Sequence, residues 1–244
     1  TSSAIGGDIQ FGAIPLINRS DQLLRKMSIF AFGQYGILDY RLVIAKPTAP
    51  QDTQPTEIIN FSSVAPKYQA STYIKLQLKD KEKQSSPFSP GSYHGSKSLL
   101  NIGFGLLFQP NTTVVANNGD TAYYHAKSVA ADLFYEDKIY RDIIFTGYLS
   151  YHNLGPSFIR HIGANNPAEG LVAAPMLNGK GVSRITSGSG DNIHVDLALL
   201  KPVGSKSLQI FTSLDVLNIQ RVDKSIFSME SGINFIQNGH RSKW

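Results

Sequence analysis

The residues of this chain that could perform catalysis are few and poorly arranged for it. The nearest grouping lies at a strand-to-loop junction and consists of His152, Asn153, Ser157 and His161. A serine nucleophile needs a base within hydrogen-bond reach and a third group to orient that base, and no glycines flank Ser157 as in a nucleophile elbow. The partner acid would have to come from elsewhere in the chain. We therefore expect no catalytic residues and no enzymatic activity.

Metal, thiol and phosphate chemistry lack their sequence signatures as well. The six histidines include no pair at the tight spacing of zinc-binding helices. Cysteine is absent, so neither disulfides nor thiolate metal sites can form. The glycines at 103–105 and 188–190 lack the continuation and the following helix that a phosphate-binding loop needs. The sequence predicts neither a metal site nor a cofactor.

Strands are the elements that would have to position any functional side chain. Apolar and polar residues alternate with a period of two in IKLQLK at 74–79, NIHVDLAL at 192–199 and LQIFTSLDV at 208–216. Such alternation is typical of β-strands with one apolar and one polar face. Segments 7–14 and 57–64 are weaker strands, and only residues 19–25 could form a short helix. The main predicted strands are 26–34, 37–46, 71–80, 98–108, 124–136, 142–152, 191–200, 207–217 and 225–236.

Composition restricts the class of protein without deciding which face of these strands is covered. Charged residues make up 17% of the 244 residues, below the roughly 25% of soluble domains. The net charge of +5 is dispersed and forms no basic block, so we expect no nucleic-acid partner. No run of 18 apolar residues exists, which excludes a helical membrane span. The absence of such a run does not exclude membrane-spanning strands, because only every second residue of a barrel strand contacts lipid.

Connection lengths and aromatic residues favour a membrane barrel over a soluble sandwich. Long connections are predicted at 47–57, 81–97, 109–122 and 153–190, whereas the others are short. Long loops on one side and short turns on the other are typical of outer-membrane barrels. Aromatics at both edges of an apolar band would form interface girdles. Those at predicted strand ends are Tyr35, Tyr40, Tyr93, Tyr123, Tyr124, Tyr135, Tyr140, Tyr148, Tyr151 and Trp244.

A series of short motifs resembles the outer-membrane porins related to the phosphate-selective porins, in the branch typical of Bacteroidota. Each motif is short, and their order and spacing over most of the chain make the resemblance. The motifs are Asp39-Tyr40-Arg41 with Lys46-Pro47, GSYHGSK at 91–97, NIGFG at 101–105, DLFY at 132–135, the stretch 151–163 with Gly155-Pro156 and Arg160, and GINF at 232–235 with Gly239-His240 and Lys243.

The resemblance implies an all-β, antiparallel transmembrane β-barrel in the bacterial outer membrane, with residues 1–244 as one domain. Members of that group have about sixteen strands, against nine to eleven here, so we expect an incomplete barrel. Its function would be passive diffusion of small hydrophilic solutes through a water-filled channel, with a preference for anions. Its partners would be outer-membrane lipid, the solutes, and further copies or other envelope proteins.

Placing the apolar residues outside predicts which side chains line the lumen. Arg41, Lys75 and Lys79 would form a basic stripe that favours anions, and His194 and Asp196 would also face the solute. The other predicted lumen residues are Asp39, Gln77, Asn101, Asp132, Asn192, Gln209, Ser213, Asp215, Glu230 and Asn234.

Two further interpretations stay open at this point. A soluble β-sandwich that binds carbohydrate or protein would pack its apolar faces together and leave no apolar belt. A barrel could also serve as a structural subunit of a larger envelope complex, with an incidental pore. The first alternative and the barrel differ in the direction in which Ile74 and Leu76 point.

Overall fold

The computed structural model describes residues 27–46, 59–61, 68–82, 92–117, 120–155, 160–161, 175–176, 190–219 and 224–237. Every regular element within these ranges is a β-strand. The described residues include no helix long and apolar enough to cross a membrane. The strands are β1 Ser28–Tyr35, β2 Leu38–Ala45, β3 Ile59–Phe61, β4 Gln69–Gln77, β5 Leu99–Asn117, β6 Asp120–Tyr140, β7 Ile143–Leu154, β8 Arg160–His161, β9 Pro175–Met176, β10 Gly190–Val203, β11 Lys206–Ile219 and β12 Ile226–Ile236.

Nine long strands form one antiparallel sheet in the order β1-β2-β4-β5-β6-β7-β10-β11-β12. Each strand therefore pairs with the next long strand of the chain, as in a simple up-and-down meander. The short β3 pairs with β5 outside this path, and β8 and β9 make a separate two-stranded ribbon. Within the described residues β1 and β12 do not pair with each other, so the sheet is all-β and antiparallel but is not closed into a barrel.

All nine strands predicted from the period-two pattern are confirmed. β5 and β6 extend further than predicted, because the segment 109–122 continues their pairing with one register shift between Gln109 and Thr113. That segment was predicted as a long loop, and this prediction is wrong. The weak candidate 57–64 contains β3, whereas 7–14 and 19–25 lie outside the described residues.

The two ends of the sheet differ in their connections. Two-residue turns at 36–37, 141–142 and 204–205 all lie at one end, called here the short-turn end. Gly36 and Gly204 have φ of 58° and 62°, the left-handed conformation that tight hairpin turns require and that glycine adopts without strain. The connections 46–68, 155–189 and 220–225 lie at the opposite end. Two connections are exceptions to this division. The connection 78–98 is long and joins β4 to β5 at the short-turn end, contrary to the prediction. At the opposite end β5 ends at Asn117 and β6 begins at Asp120, so only two residues separate them.

Register divides the sheet into two faces of opposite chemistry. Directly opposed residues of antiparallel strands project to the same side, so each row across the nine strands can be read from the pairing. We call the two sides the apolar face and the polar face. One row of the apolar face is Tyr35, Leu38, Leu76, Ile102, Leu133, Leu149, Val195, Leu214 and Met229. The adjacent row of the polar face is Gln34, Asp39, Lys75, Gly103, Asp132, Ser150, His194, Asp215 and Ser228.

The polar face is the covered one, which is the reverse of a water-soluble sheet. In β4 the exposed fractions are 38% for Ile74 and 36% for Leu76, against 4% for Lys75 and 0% for Gln77. Among the described residues thirty large hydrophobic side chains are exposed, whereas eight hydrophobic residues are buried. Small apolar clusters on the polar face, such as Ile144 with Leu200 and Ile236, lie near the short-turn end. The predicted orientation of Ile74 and Leu76 is confirmed.

Candidate functional site

The polar face brings together all the side chains predicted to line a lumen except one. Arg41, Lys75, His194 and Asp196 lie on it, as do the uncharged and acidic residues predicted with them. Lys79 lies elsewhere, because it follows the end of β4 and turns toward the apolar side. Its Nζ is 2.5 Å from Asp137 Oδ2 and 4.9 Å from the centre of the Tyr135 ring. The placement of Lys79 in the lumen is therefore corrected.

The two remaining basic residues of the predicted stripe are held by carboxylates. Lys75 Nζ lies 2.5 Å from Glu82 Oε2 and 4.0 Å from Asp39 Oδ2, and all three side chains are buried. Arg41 Nε lies 3.7 Å from Asp39 Oδ1. Because each positive charge has an acidic neighbour, these residues form an ion-pair network across β2, β4 and the segment after β4, rather than a free basic stripe.

His194 and Asp196 do meet on the polar face, together with a residue of the next strand. His194 Nε2 is 3.0 Å from Asp196 Oδ2, and His194 Nδ1 is 2.9 Å from Asp215 Oδ1. Ser213 Oγ donates to Asp196 Oδ1. With a carboxylate at each nitrogen, the imidazole is fixed in place and has no ring nitrogen left for nucleophile activation. The described residues contain no group of three or more His, Cys, Asp or Glu arranged to hold a metal ion.

A second cross-strand contact passes over a glycine. Tyr73 Oη of β4 donates to Asp132 of β6, at 3.0 Å from Oδ2 and 3.2 Å from Oδ1. The intervening strand β5 has Gly103 opposite Asp132, and a Cβ on Gly103 would collide with both Tyr73 Oη and Asp132 Oδ2. The glycine therefore makes this hydrogen bond possible. No pattern in the sequence indicated that Tyr73 and Asp132 would meet over Gly103.

The connection between β4 and β5 folds onto the polar face, and we call its described parts, 78–82 and 92–98, the infolded segment. Glu82 is buried and binds on several sides: its amide donates to Gln77 Oε1 at 2.6 Å, and its carboxylate accepts from Asn101 Nδ2 at 2.8 Å and from Tyr93 Oη at 2.7 Å. Burial, together with the hydrogen bond to Glu82, raises the pKa of Tyr93 above its ordinary value. The phenol thus remains a neutral donor to this carboxylate.

Glu136 of β6 anchors the other half of the infolded segment. Its carboxylate accepts from Ser92 Oγ at 2.8 Å, from the Tyr93 amide at 3.0 Å and from the Gly95 amide at 2.9 Å. Thr146 Oγ1 of β7 donates to the same carboxylate at 3.1 Å. Glu136 is fully buried, so these four donors replace the water that a carboxylate would otherwise require. No pattern in the sequence predicted this role of Glu136.

Some buried polar atoms of the same face lack a hydrogen-bond partner among the described residues. Asn101 Oδ1 and Asn192 Oδ1 are two of them, and both belong to buried side chains. A buried carbonyl oxygen without a partner costs about 1–3 kcal/mol, unless water or a bound solute supplies one. The polar face is therefore built to meet water or a polar solute.

The described part of the polar face contains ion pairs, hydrogen-bonded carboxylates and buried amides. No nucleophile–base pair occurs among the described residues, and Ser157 lies outside them. No family model matches the chain, and comparisons with curated proteins and with solved structures gave no match either. The resemblance to the porin family stays a prediction from the motifs.

Proposed function

We propose that this protein is a porin of the bacterial outer membrane, whose polar face lines a water-filled passage for small hydrophilic solutes. One observation carries the proposal: on the eight consecutive strands of the sheet from β2 to β12, the apolar face is uncovered and the polar face is the more covered one. Antiparallel sheets that fold in water bury their apolar face. Lipid is the surrounding in which the opposite arrangement is stable.

The free energy of solvation supports lipid as the partner of the apolar face. Exposing apolar surface to water costs about 25 cal/mol per Å². The apolar face carries most of the thirty exposed large hydrophobic side chains, so it would favour aggregation in water. The two-stranded ribbon β8–β9 is the only other sheet in the described residues, and no second sheet covers the belt there. A soluble sandwich would need such a second layer.

The length of the apolar belt fits a membrane. In β5 the five outward residues from Leu100 to Phe108 are all apolar, and together they span nine residues of the strand. A transmembrane strand needs about 9–11 residues when it is tilted. The polar rows run beside this belt over the same length, so one face can contact lipid while the other contacts water.

Exposed aromatic residues lie near both ends of the belt. Tyr35 and Tyr140 flank the turns of the short-turn end, while Tyr68 immediately precedes β4 at the opposite end. Tyrosine prefers the level of the lipid headgroups. In outer-membrane barrels short turns face the periplasm, so we assign the short-turn end to the periplasmic side.

In a bilayer the free edges of β1 and β12 cannot stay unpaired, because hydrocarbon offers no hydrogen bonds. The proposal therefore requires that these edges be paired in the membrane, so that the sheet becomes part of a closed wall. Closure gives the polar face an enclosed lumen, and the lumen gives the protein its function.

Reconstitution tests the proposal. The protein should be extracted only by detergent, migrate differently on gels before and after heating, and make liposomes permeable to small sugars but not to large dextrans. Protein denatured by heat before reconstitution is the control and should leave the liposomes tight. Full solubility in buffer without detergent would reject the membrane assignment. Insertion into liposomes without permeability would contradict the porin function and would favour a structural subunit of an envelope complex.

A further inference from the structure

We infer that the passage selects for cations over anions, an inference that rests on the proposed porin function. The chain as a whole carries +5, but the charges of the polar face have the opposite balance. The acidic residues on it, including Glu82 of the infolded segment, are Asp39, Glu82, Asp132, Glu136, Asp196, Asp215 and Glu230.

The basic residues of the polar face are fewer and differently placed. Arg41 and Lys75 lie between the strand ends and are paired with carboxylates. Lys138 is exposed near the turn that follows β6, and Lys97 belongs to the infolded segment, where it contacts Tyr93. His194, even when protonated, lies between two carboxylates. An excess of negative charge therefore remains on the described part of this face.

Part of this negative charge is stabilised by neutral donors alone. Every hydrogen bond described above for Glu136 comes from a hydroxyl or a backbone amide. Asp132 likewise accepts from the hydroxyl of Tyr73. Neutral donors satisfy the hydrogen bonds of a carboxylate without adding a positive charge that would cancel its own. Its field therefore extends into the space above the sheet, where a low-dielectric wall concentrates it.

The unpartnered buried atoms of this face do not favour either sign of charge. They include the acceptors Asn101 Oδ1 and Asn192 Oδ1, on side chains that are 2% and 8% exposed, and the donor Gln77 Nε2. Asn101 also donates to Glu82, so one of these oxygens lies beside an acid of the same face. The inference therefore depends on the balance of charged residues.

Most of the other described basic residues lie at the margins of the sheet. They lie in turns or in the segments at and near the ends of strands, and all are exposed to solvent: Lys46, Lys79, Lys81, Arg141, Lys201, Lys206 and Lys224. Acidic rings favour cations and basic rings favour anions in channels. The substrate class that fits the polar face is therefore small cations, including inorganic K⁺ and small organic amines.

Reversal potentials in planar bilayers with a KCl gradient test the inference. The expected result is a potential of the sign produced by K⁺ permeating faster than Cl⁻. Absence of conductance would count against the porin function itself. Conductance with Cl⁻ preference, or with no preference, would leave the porin function standing and overturn the inference about cations.

Paired variants link the result to the polar face. Asp132→Asn with Glu230→Gln removes two charges from this face and keeps side chains of equal size. A unit charge about 10 Å away in water changes the local concentrations of K⁺ and Cl⁻ about twofold in opposite directions, so the permeability ratio of K⁺ to Cl⁻ should fall about fourfold for each of the two charges removed. The control combines Asp137→Asn with Asp191→Asn, two acids on the apolar side of their strands, and should leave the ratio unchanged. An equal fall in both variants would contradict the inference.

Discussion

At the residue scale, glycines decide which large side chains can cross a strand. Gly103 leaves the space through which Tyr73 reaches Asp132, and Gly232 lies beside the ring of Phe211, where a Cβ would be 2.8 Å from the nearest ring carbon. In both places a glycine inside a strand has no side chain, so the side chain of a neighbouring strand can lie over it. The polar face is thus fixed by lateral contacts as well as by the backbone ladder.

Gly103→Ala should destabilise the protein. The new methyl group occupies the position of Tyr73 Oη and Asp132 Oδ2, so the variant combines overpacking with the loss of a partly buried hydrogen bond. We expect a loss of about 2 kcal/mol in the free energy of unfolding. Urea unfolding in the presence of lipid vesicles, followed by tyrosine fluorescence, measures this change.

Gly105→Ala, two residues further on the same face of β5, is the matched control. Its Cβ would meet Ala130 Cβ at 3.6 Å, an ordinary van der Waals distance. Replacing a strand glycine by alanine without strain stabilises slightly through the unfolded chain. Stability should therefore be unchanged or higher, and an equal loss in the two variants would mean that the Tyr73–Asp132 contact has no special role.

At the element scale, the strands were predictable and the infolded segment was not. Period-two alternation is a local signal, so nine strands could be located from sequence, and their faces followed. The position of the infolded segment, 78–82 and 92–98, depends instead on Glu82 and Glu136, whose partners lie up to 44 residues away in the chain. No local pattern in GSYHGSK at 91–97 indicates that its amides point at a carboxylate of β6.

Glu136→Ala should release the infolded segment while leaving the sheet intact. The substitution removes the acceptor of the Tyr93 and Gly95 amides. Losing interactions worth about 1–3 kcal/mol raises local opening by about tenfold to a hundredfold. Hydrogen exchange in detergent should show this acceleration at Tyr93 and Gly95, with unchanged protection in β10 and β11.

Asp142→Ala controls for removing a carboxylate at the same end of the sheet. Asp142 is exposed in the turn between β6 and β7, so exchange at Tyr93 and Gly95 should stay slow in this variant. Slow exchange at both amides in Glu136→Ala would show that other contacts hold the segment. Fast exchange throughout the sheet would show that Glu136 supports the fold as a whole.

At the scale of the whole molecule, every long strand from β2 to β12 has one apolar and one polar face. The polar face is the covered one, whereas a sheet that folds in water covers its apolar face. Alternation alone does not distinguish a soluble sandwich from a membrane barrel, because the strands of both have one apolar face. Composition helped little, since 41% hydrophobic residues are ordinary in either class. The exposed fractions of the side chains do distinguish them, because Gln77 and Lys75 are covered while Ile74 and Leu76 are not. That difference required three-dimensional information about all nine strands.

A lysine placed on each face of one strand tests this inversion directly. Met229 is 62% exposed on the apolar face of β12, between Phe227 and Ser231 of the same face, and Ser228 is its neighbour on the polar face. A lysine at the centre of a lipid-facing strand costs about 2–4 kcal/mol. Met229→Lys should therefore weaken folding into vesicles by that amount, whereas Ser228→Lys should change it little. In a protein that folds in water the exposed Met229 would accept lysine without loss, so equal behaviour of the two variants would argue against lipid as the partner of the apolar face.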